Sequence, residues 1–562
     1  MKTKKLLVLA LAIALIVSSI GFAGAEDNNL SAAGEYPIWT GSEPATITVL
    51  IKPSDYVEDH KDNVYTKTIE ERANVNLEFT YLPAVDSDDK LNIMVSTGEK
   101  LPDVYVGSLS NAVAKSYGDA GALLNVQPYY EQGLAVNVDK AVAEYPDWNL
   151  LTNITNADGS IYAIPKIQTS PSNETKYKMW VNEAWLENLG LSVPTTTDEF
   201  YEMLKAFKEK DANGNGDATD EIPFITSTGW GGTATKYLTN AFVFEGDGDM
   251  FLLKDGHVSV SYIQDEWFNA VEYLKKLCDE GLLAKESFTY SNTDLLAVAG
   301  TDEDVVGCMT NSSLAFMGAA NDPYRLRYFC IDPLTGPEGV KYTAYAQSAT
   351  NGQWHVTTYA ENPELCFRVG DMQFTEEFFL LGRFGVENEN WQTAEEYLAA
   401  NPGAELAARY GSMGYEPKYV FYNDIFGTVQ KINWYDQMPY FSGTVECEGA
   451  YVSKAADGTT MNAENNCTVR QETASGVYQL CKPGMDVYVP NLSYTDEELE
   501  EISESLSTIR TYVNQQRTNY IIGEESDLSD SQKFIDNLKS SFNLDKILEI
   551  ADAAYQRQYA AK

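Results

Sequence analysis

Apolar positions along this chain recur in steps of two and of about 3.6 residues, and the two spacings take turns. Residues 45–51 (ATITVLI) read as a strand that ends at Lys52-Pro53. Tyr65, Ile69 and Arg72 follow at helical spacing, and residues 75–79 alternate as a second strand. A helix is expected over residues 88–97 and a strand over 103–106. Residues 161–165 and 179–182 read as extended, and a helix carrying Trp185 and Leu189 comes next. Thr196-x-x-Glu199 is a capping box, and the helix it opens places Phe200, Met203, Leu204 and Phe207 on one face. Trp267, Val271, Leu274, Leu277 and Cys278 mark a helix over residues 265–279. Further strands are expected at residues 223–226, 304–309 and 354–357. Helices are expected after Asn362-Pro363-Glu364, from Thr495 and near Asp545-Lys546. Strands alternating with helices predict an α/β fold with a largely parallel sheet. Ligands of such sheets bind beyond the carboxyl ends of the strands, here residues 52–55 and 107–111.

One polar stretch stands out against this pattern. Residues 211–221 carry oxygen-bearing side chains at Asp211, Asn213, Asn215 and Asp217, every second residue, with glycines between. That is the front half of an EF-hand-type calcium loop, with Gly216 where the loop must turn sharply. The bidentate Glu expected at position 12 is instead Ile222, so Asp220 and Glu221 are the substitutes. The residue types also suit an Asx/Gly turn with no metal. If calcium binds, its role is structural, tying the helix from Thr196 to the strand at Pro223.

The chain has 562 residues, room for two or three domains. Residues 1–25 read as a secretory signal: Lys2, Lys4 and Lys5, a short apolar run, and the small-x-small site Ala23-Gly24-Ala25. No Cys stands at that cleavage site, so no lipid anchor is expected there, and the mature chain is expected to be secreted. Residues 26–44 look like a tether. The formal charge of −43 argues against nucleic acid and anionic membrane surfaces as partners. Cys278, Cys308 and Cys366 read as buried, whereas Cys447, Cys467 and Cys481 fall in one region that could hold a disulfide. GxSxG, HExxH, the P-loop and a GxGxxG after a strand do not occur, so no enzyme is expected.

Several runs, in order, carry a resemblance. They include Leu101-Pro102-Asp103-Val104, Tyr162-Ala163-Ile164-Pro165, the stretch from Trp180 to Leu191 with Val193-Pro194-Thr195, the loop at 211–221, Leu334-Thr335-Gly336-Pro337, Asn362-Pro363-Glu364 and Arg383-Phe384-Gly385-Val386. Together the chain resembles the large extracellular solute-binding proteins of family 1, the calcium-loop group that serves carbohydrate importers of the ABC type. The resemblance implies a two-lobed, periplasmic-binding-protein-like α/β fold with hinge crossings near residues 165–169, 309–312 and 353–356 and a helical C-terminal extension. The expected first lobe is residues 45–165 plus 309–352, and the second is 166–308 plus 353–562. It further implies a monomer that captures an oligosaccharide between its lobes and delivers it to membrane permease subunits at the outer face of the cell. The alternatives are a polysaccharide-active lyase or hydrolase, or the same fold with a peptide or lipid-linked ligand. Candidate sugar platforms are Trp230, Trp354 and Trp391, with the pair Trp434-Tyr435. Candidate polar contacts at strand ends and crossings are Lys52, Asp55, Ser108, Asn111, Gln168 and Asn311.

Overall fold

The structure is a computed structural model. It describes residues 29–560, apart from 247, 320, 348, 349, 423, 424, 426, 427 and 461–465. The expected signal, residues 1–25, lies outside the described residues. In chain order the strands are β1 (Ala45–Ile51), β2 (Val75–Tyr81), β3 (Val104–Leu109), β4 (Ile164–Ile167), β5 (Lys178–Asn182), β6 (Ile222–Phe224), β7 (Phe251–Lys254), β8 (His257–Val260), β9 (Val306–Asn311), β10 (Tyr328–Ile331), β11 (Thr350–Val356), β12 (Trp391–Thr393), β13 (Glu405–Ala408), β14 (Tyr419–Phe421) and β15 (Gly449–Lys454).

The first lobe is built on a sheet of order β2-β1-β3-β11-β4. β1 runs parallel to β2 and β3, and β11 is antiparallel to its neighbours β3 and β4. β1 reads as an unbroken apolar run because both faces are covered: Ile47, Val49 and Ile51 enter one core and Leu50 another. The second lobe holds a sheet of order β10-β5-β9-β6 and the hairpin β7–β8. The capped helix Thr197–Glu209 buries Phe200, Met203, Leu204 and Phe207 against that lobe's core, as its spacing predicts. A third sheet, β12-β14-β15-β13, adjoins the first lobe, whose core takes in Trp391 and Tyr419. The 27-residue helix Asp496–Ile522 and the two after it, Ser531–Phe542 and Leu544–Tyr555, pack on the second lobe and form the C-terminal extension.

The crossings differ from those expected. The first lies between β4 and β5, close to the predicted 165–169. No crossing occurs at 309–312, because β9 pairs with β5 in the second sheet (Met179↔Thr310). The chain returns between β10 and β11, and residues 353–356 already belong to the first sheet. Leu365 to Val445 of the first core also come from the stretch expected in the second lobe. The segment 309–352 is therefore divided between the lobes, and so is 353–562. An apolar strand satisfies either sheet, so its sequence does not say which one takes it. The tether is corrected as well. Ile38 is buried in the first core, Trp39 packs beside it, and Arg368 donates to the carbonyls of Ser31 and Ala32. The suggested disulfide among Cys447, Cys467 and Cys481 is absent, since all three are free thiols.

One charged cluster fixes the C-terminal extension. Glu245 is fully buried and meets Arg517 Nη1 at 2.8 Å and Lys236 Nζ at 2.9 Å, while Trp267 Nε1 donates to its other oxygen at 2.7 Å. Burial alone would raise this carboxyl, but the two cations outweigh it and hold it down to about 2. The stabilisation is thus complete above the ordinary carboxylate range and disappears as pH falls toward 2. Glu245→Gln leaves two buried cations unmatched and is expected to cost ~3–5 kcal/mol at neutral pH. Urea unfolding at pH 7 checks this, and the difference from wild type should shrink as the pH is lowered below about 4. An unchanged midpoint would refute the role assigned to the cluster.

Candidate functional site: the cleft between the lobes

The carboxyl ends of β1, β3 and β4 all point toward the second lobe, and a cavity of about 630 Å³ lies between them and it. Lys52 follows β1, Gly107 and Ser108 end β3, and Lys166 and Gln168 come from β4 and the crossing. The second lobe contributes Asn173, Glu174, Lys176 and Trp230, and β11 contributes Asn351 and Gln353. This is the crevice that an open α/β sheet offers a ligand.

Four of the predicted contacts meet here: Lys52, Ser108, Gln168 and Trp230. Trp230 is 54% exposed, high for so large an apolar side chain, and Lys176 Nζ stands 5.8 Å from its ring centre. Its position is fixed by the glycines after it. A Cβ on Gly231, whose φ is +74°, would lie 2.5 Å from the Lys176 carbonyl and 2.6 Å from the Ser312 amide. Thr226 Oγ1 donates to the Gly232 carbonyl and contacts Thr310 Oγ1, so the turn is tied to β9. Residues of other types cannot make this approach, which is why a Gly-Trp-Gly-Gly run follows the strand.

The floor of the cleft is a polar network. Lys166 Nζ meets Asp436 Oδ1 at 2.6 Å and lies 5.2 Å from the Tyr440 ring centre. Burial pulls its ammonium below the usual lysine value, against the raising pull of Asp436. Gln168 donates to Glu446 at 2.9 Å and accepts from the Tyr440 hydroxyl at 3.0 Å. Gln437 donates to the Lys52 carbonyl, and Gln353 Nε2 donates to the Gln437 carbonyl at 2.7 Å. Gln353 is buried, and its Oε1 has no protein partner. Beneath the end of β3, His355 is fully buried between the carbonyls of Tyr162 and Gly107, and burial drives it down to about 4, so it is neutral.

Five predicted contacts do not reach the cleft. Trp354 is 1% exposed and donates to the Cys366 carbonyl in the first core. Trp391 is buried and donates to the Gly385 carbonyl. Of the looser pair, Trp434 is buried against Thr66, and Tyr435 stacks on Tyr56. Asp55 is exposed outside the cavity. Asn111 donates to the Asn153 carbonyl. Asn311 is buried and donates to Asn292, which also accepts from Ser227 in the Trp230 turn, so it positions that turn from behind. Sequence reasoning missed Lys166, Lys176, Gln353, Asp436 and Gln437. The signal available for Lys166 was its place two residues before Gln168, on the same side of an extended strand.

The 211–221 loop lies between helix Thr197–Glu209 and β6, away from the cavity. Asp211 Oδ2 accepts from the Gly216 amide and Glu221 Oε1 from the Ala212 amide. The second oxygen of each, Asp211 Oδ1 and Glu221 Oε2, is buried with no hydrogen-bond partner. Asp220 is occupied by the amides of Asn213 and Asn215, and the Asp217 carboxylate accepts from Thr219. Among the described residues no three His, Cys, Asp or Glu side chains converge as a metal cage. A calcium loop also draws on amide and main-chain oxygens, and two orphaned carboxylate oxygens at its ends fit such an ion.

Residues 59–303 match the profile of the bacterial extracellular solute-binding proteins. The chain is 28% identical over 330 residues to the fructooligosaccharide ABC transporter substrate-binding protein FusA of Streptococcus pneumoniae, covering 56% of this chain and 58% of that one. The match thus spans less than two thirds of that relative's length. In fold, the structure superposes on a Bifidobacterium longum infantis solute-binding protein described as binding HMO, with a TM-score of 0.70, 19% identity and coverage of 92% and 99%. It also superposes on an EF-hand mutant of FusA in complex with fructo-nystose, with a TM-score of 0.66, 21% identity and coverage of 92% and 100%. The chain therefore resembles the extracellular solute-binding proteins in sequence and has their two-lobed fold.

The Trp230 turn yields a direct test. Gly231→Ala imposes a left-handed alanine, costing ~1–2 kcal/mol before any clash. It is expected to lower the melting temperature and shift tryptophan emission. Unchanged melting and emission would mean that the turn tolerates a side chain and does not fix Trp230.

Proposed function

We propose that this chain, a relative of the extracellular solute-binding proteins, is the secreted binding component of an ABC importer and captures a neutral oligosaccharide in the cleft between its lobes. The observation that carries the reading is Trp230: a half-exposed indole that lines a cavity of about 630 Å³ from a turn whose backbone is pinned at Gly231 and Gly232. A flat aromatic face suits the C–H face of a sugar ring, and the amides of Gln168, Asn351 and Gln353 suit its hydroxyls. Closure of the second lobe brings Trp230 toward Lys52 and Ser108, and the closed, loaded form is the one a permease would accept.

Charge supports a neutral ligand. Among the described lining residues Lys52, Lys166 and Lys176 are balanced by Asp88, Glu174 and Asp436, and no arginine is present. Lys166 is already paired with Asp436. Uronate carboxylates are best gripped by the bidentate guanidinium fork. No catalytic pair is needed for this role, and the relatives are binding proteins rather than enzymes.

The 211–221 loop is proposed to hold a structural calcium ion through Asp211 and Glu221, with Asn213, Asn215, Asp217 and Asp220 completing the loop. The ion would satisfy the two buried carboxylate oxygens and tie the end of the capped helix to β6.

Thermal melting against neutral oligosaccharides, oligouronates and peptides tests the ligand class. A ligand at 100 times its Kd adds ~2.7 kcal/mol. Stabilisation by a neutral oligosaccharide alone is expected, and stabilisation by peptides alone would sink the reading. Trp230→Ala is expected to weaken binding by roughly 2 kcal/mol, about thirtyfold, without lowering apo stability. Chelation by EGTA is expected to lower the melting temperature of wild type and to leave Asp211→Ala unaffected. An equal response of both proteins would remove the calcium assignment.

A further inference from the structure

A second cavity, of about 680 Å³, lies on the other face of the crossing. The alternation of the extended chain separates the two. Lys166 and Gln168 line the cleft, whereas Ile167 and Thr169 line the rear cavity. Only Glu174 and Gln347 line both. The rear walls come from both lobes: Trp148 and Ile167 from the first, Gln479, Lys482 and Tyr488 from the second, with Tyr345 on the returning crossing.

The rear walls are built as a ligand site is built. Trp148 is braced by Tyr145, stacked at 4.4 Å, and by the Phe441 edge at 5.4 Å. Tyr345 and Tyr488 meet edge to face at 5.0 Å, and Lys482 Nζ stands 5.5 Å from the Tyr345 ring centre. Aromatic residues of both lobes thus line one cavity, whose polar lining includes Asn149, Lys482, and Gln479 donating to Glu174 at 2.9 Å. The lobes are also bridged on this side. Gln347 Nε2 donates to the Trp148 carbonyl of the first lobe at 3.2 Å, and its main-chain amide donates to the Tyr488 hydroxyl of the second at 3.0 Å.

We infer that the rear cavity is a second binding site, for a neutral sugar, and that its occupant holds the front cleft open. Walls on opposite faces of one hinge cannot both approach: closing the cleft draws Trp148 of the first lobe away from Tyr488 of the second. A ligand gripped by the rear walls therefore favours the open cleft, and by linkage a ligand in the cleft disfavours the rear one. The site itself stands on its own geometry, and the coupling rests on the cleft reading above.

The test is a fluorescence and calorimetric titration of the full chain with kestose, maltotriose and cellotriose at up to millimolar concentration. Wild type is expected to bind at least one of them in two phases. One phase is lost in Trp230→Ala. The other is lost in Trp148→Ala and in Met413→Trp, which fills the half-exposed rim of the rear cavity without removing a buried group. Small-angle scattering is expected to report compaction with the first phase and none with the second. A single phase that depends on Trp230 and survives both rear variants overturns the rear site and leaves the cleft intact. A single phase that depends on Trp148 supports the rear site and sinks the cleft. Compaction accompanying the rear phase overturns the coupling, and no binding of any of the three sugars overturns the site.

Discussion

An extended chain shows its side chains alternately to two sides, and the architecture of this protein turns on that constraint at residues 166–171. This stretch is the first covalent link between the lobes, and it is also the partition between two cavities. Its even positions, Lys166 and Gln168, supply the floor of the cleft, and its odd positions, Ile167 and Thr169, face the rear. It is anchored sideways as well. The Ile167 amide donates to the Tyr440 carbonyl, and the Ser442 amide donates to the Ile167 carbonyl. A one-residue slip would exchange the two sets and bury Lys166 where an isoleucine belongs. The register of one short segment therefore decides the chemistry of both cavities.

The second lobe answers with rigidity in a different form. Its long C-terminal helix is joined to the body through Arg517 and the buried Glu245, and the same carboxylate holds Lys236 and Trp267. Such a cluster is costly to desolvate and is tolerable only when every partner is in place. Complete, it makes the helical extension part of the lobe and not an appendage. The Trp230 turn gains from this body: it is pinned to β9 by Thr226, Thr310 and the glycines, so the half-exposed indole is presented from a fixed backbone. A preorganised aromatic face loses little side-chain freedom when a ligand arrives.

The electrostatics of the molecule and of its site are decoupled. The chain carries a formal charge of −43, while the cleft lining balances three lysines against three carboxylates. Surface acid keeps the chain apart from other polyanions. It says nothing of the few groups that meet a ligand at close range, where salt screens them least.

By itself the sequence determined local matters: the α/β class, the capped helix over Thr197–Glu209, the run of apolar residues in β1, the oxygen-rich loop at 211–221 and the glycines around Trp230. Each depends on neighbours a few residues away, so period, caps and turn chemistry suffice to read it. The tertiary structure alone decided which sheet received β9 and β11, and so where the lobes divide. It also decided which tryptophans are exposed. Trp230 and Trp354 both sit beside glycines or strand ends in the sequence, yet one is 54% exposed and the other 1%. The reason is long-range pairing: Trp354 stands opposite Val106 and Ile164 in the middle of a sheet covered on both faces, and nothing near it in the chain records those partners. The rear cavity is the extreme case, assembled from residues between 146 and 559 that no local pattern could bring together.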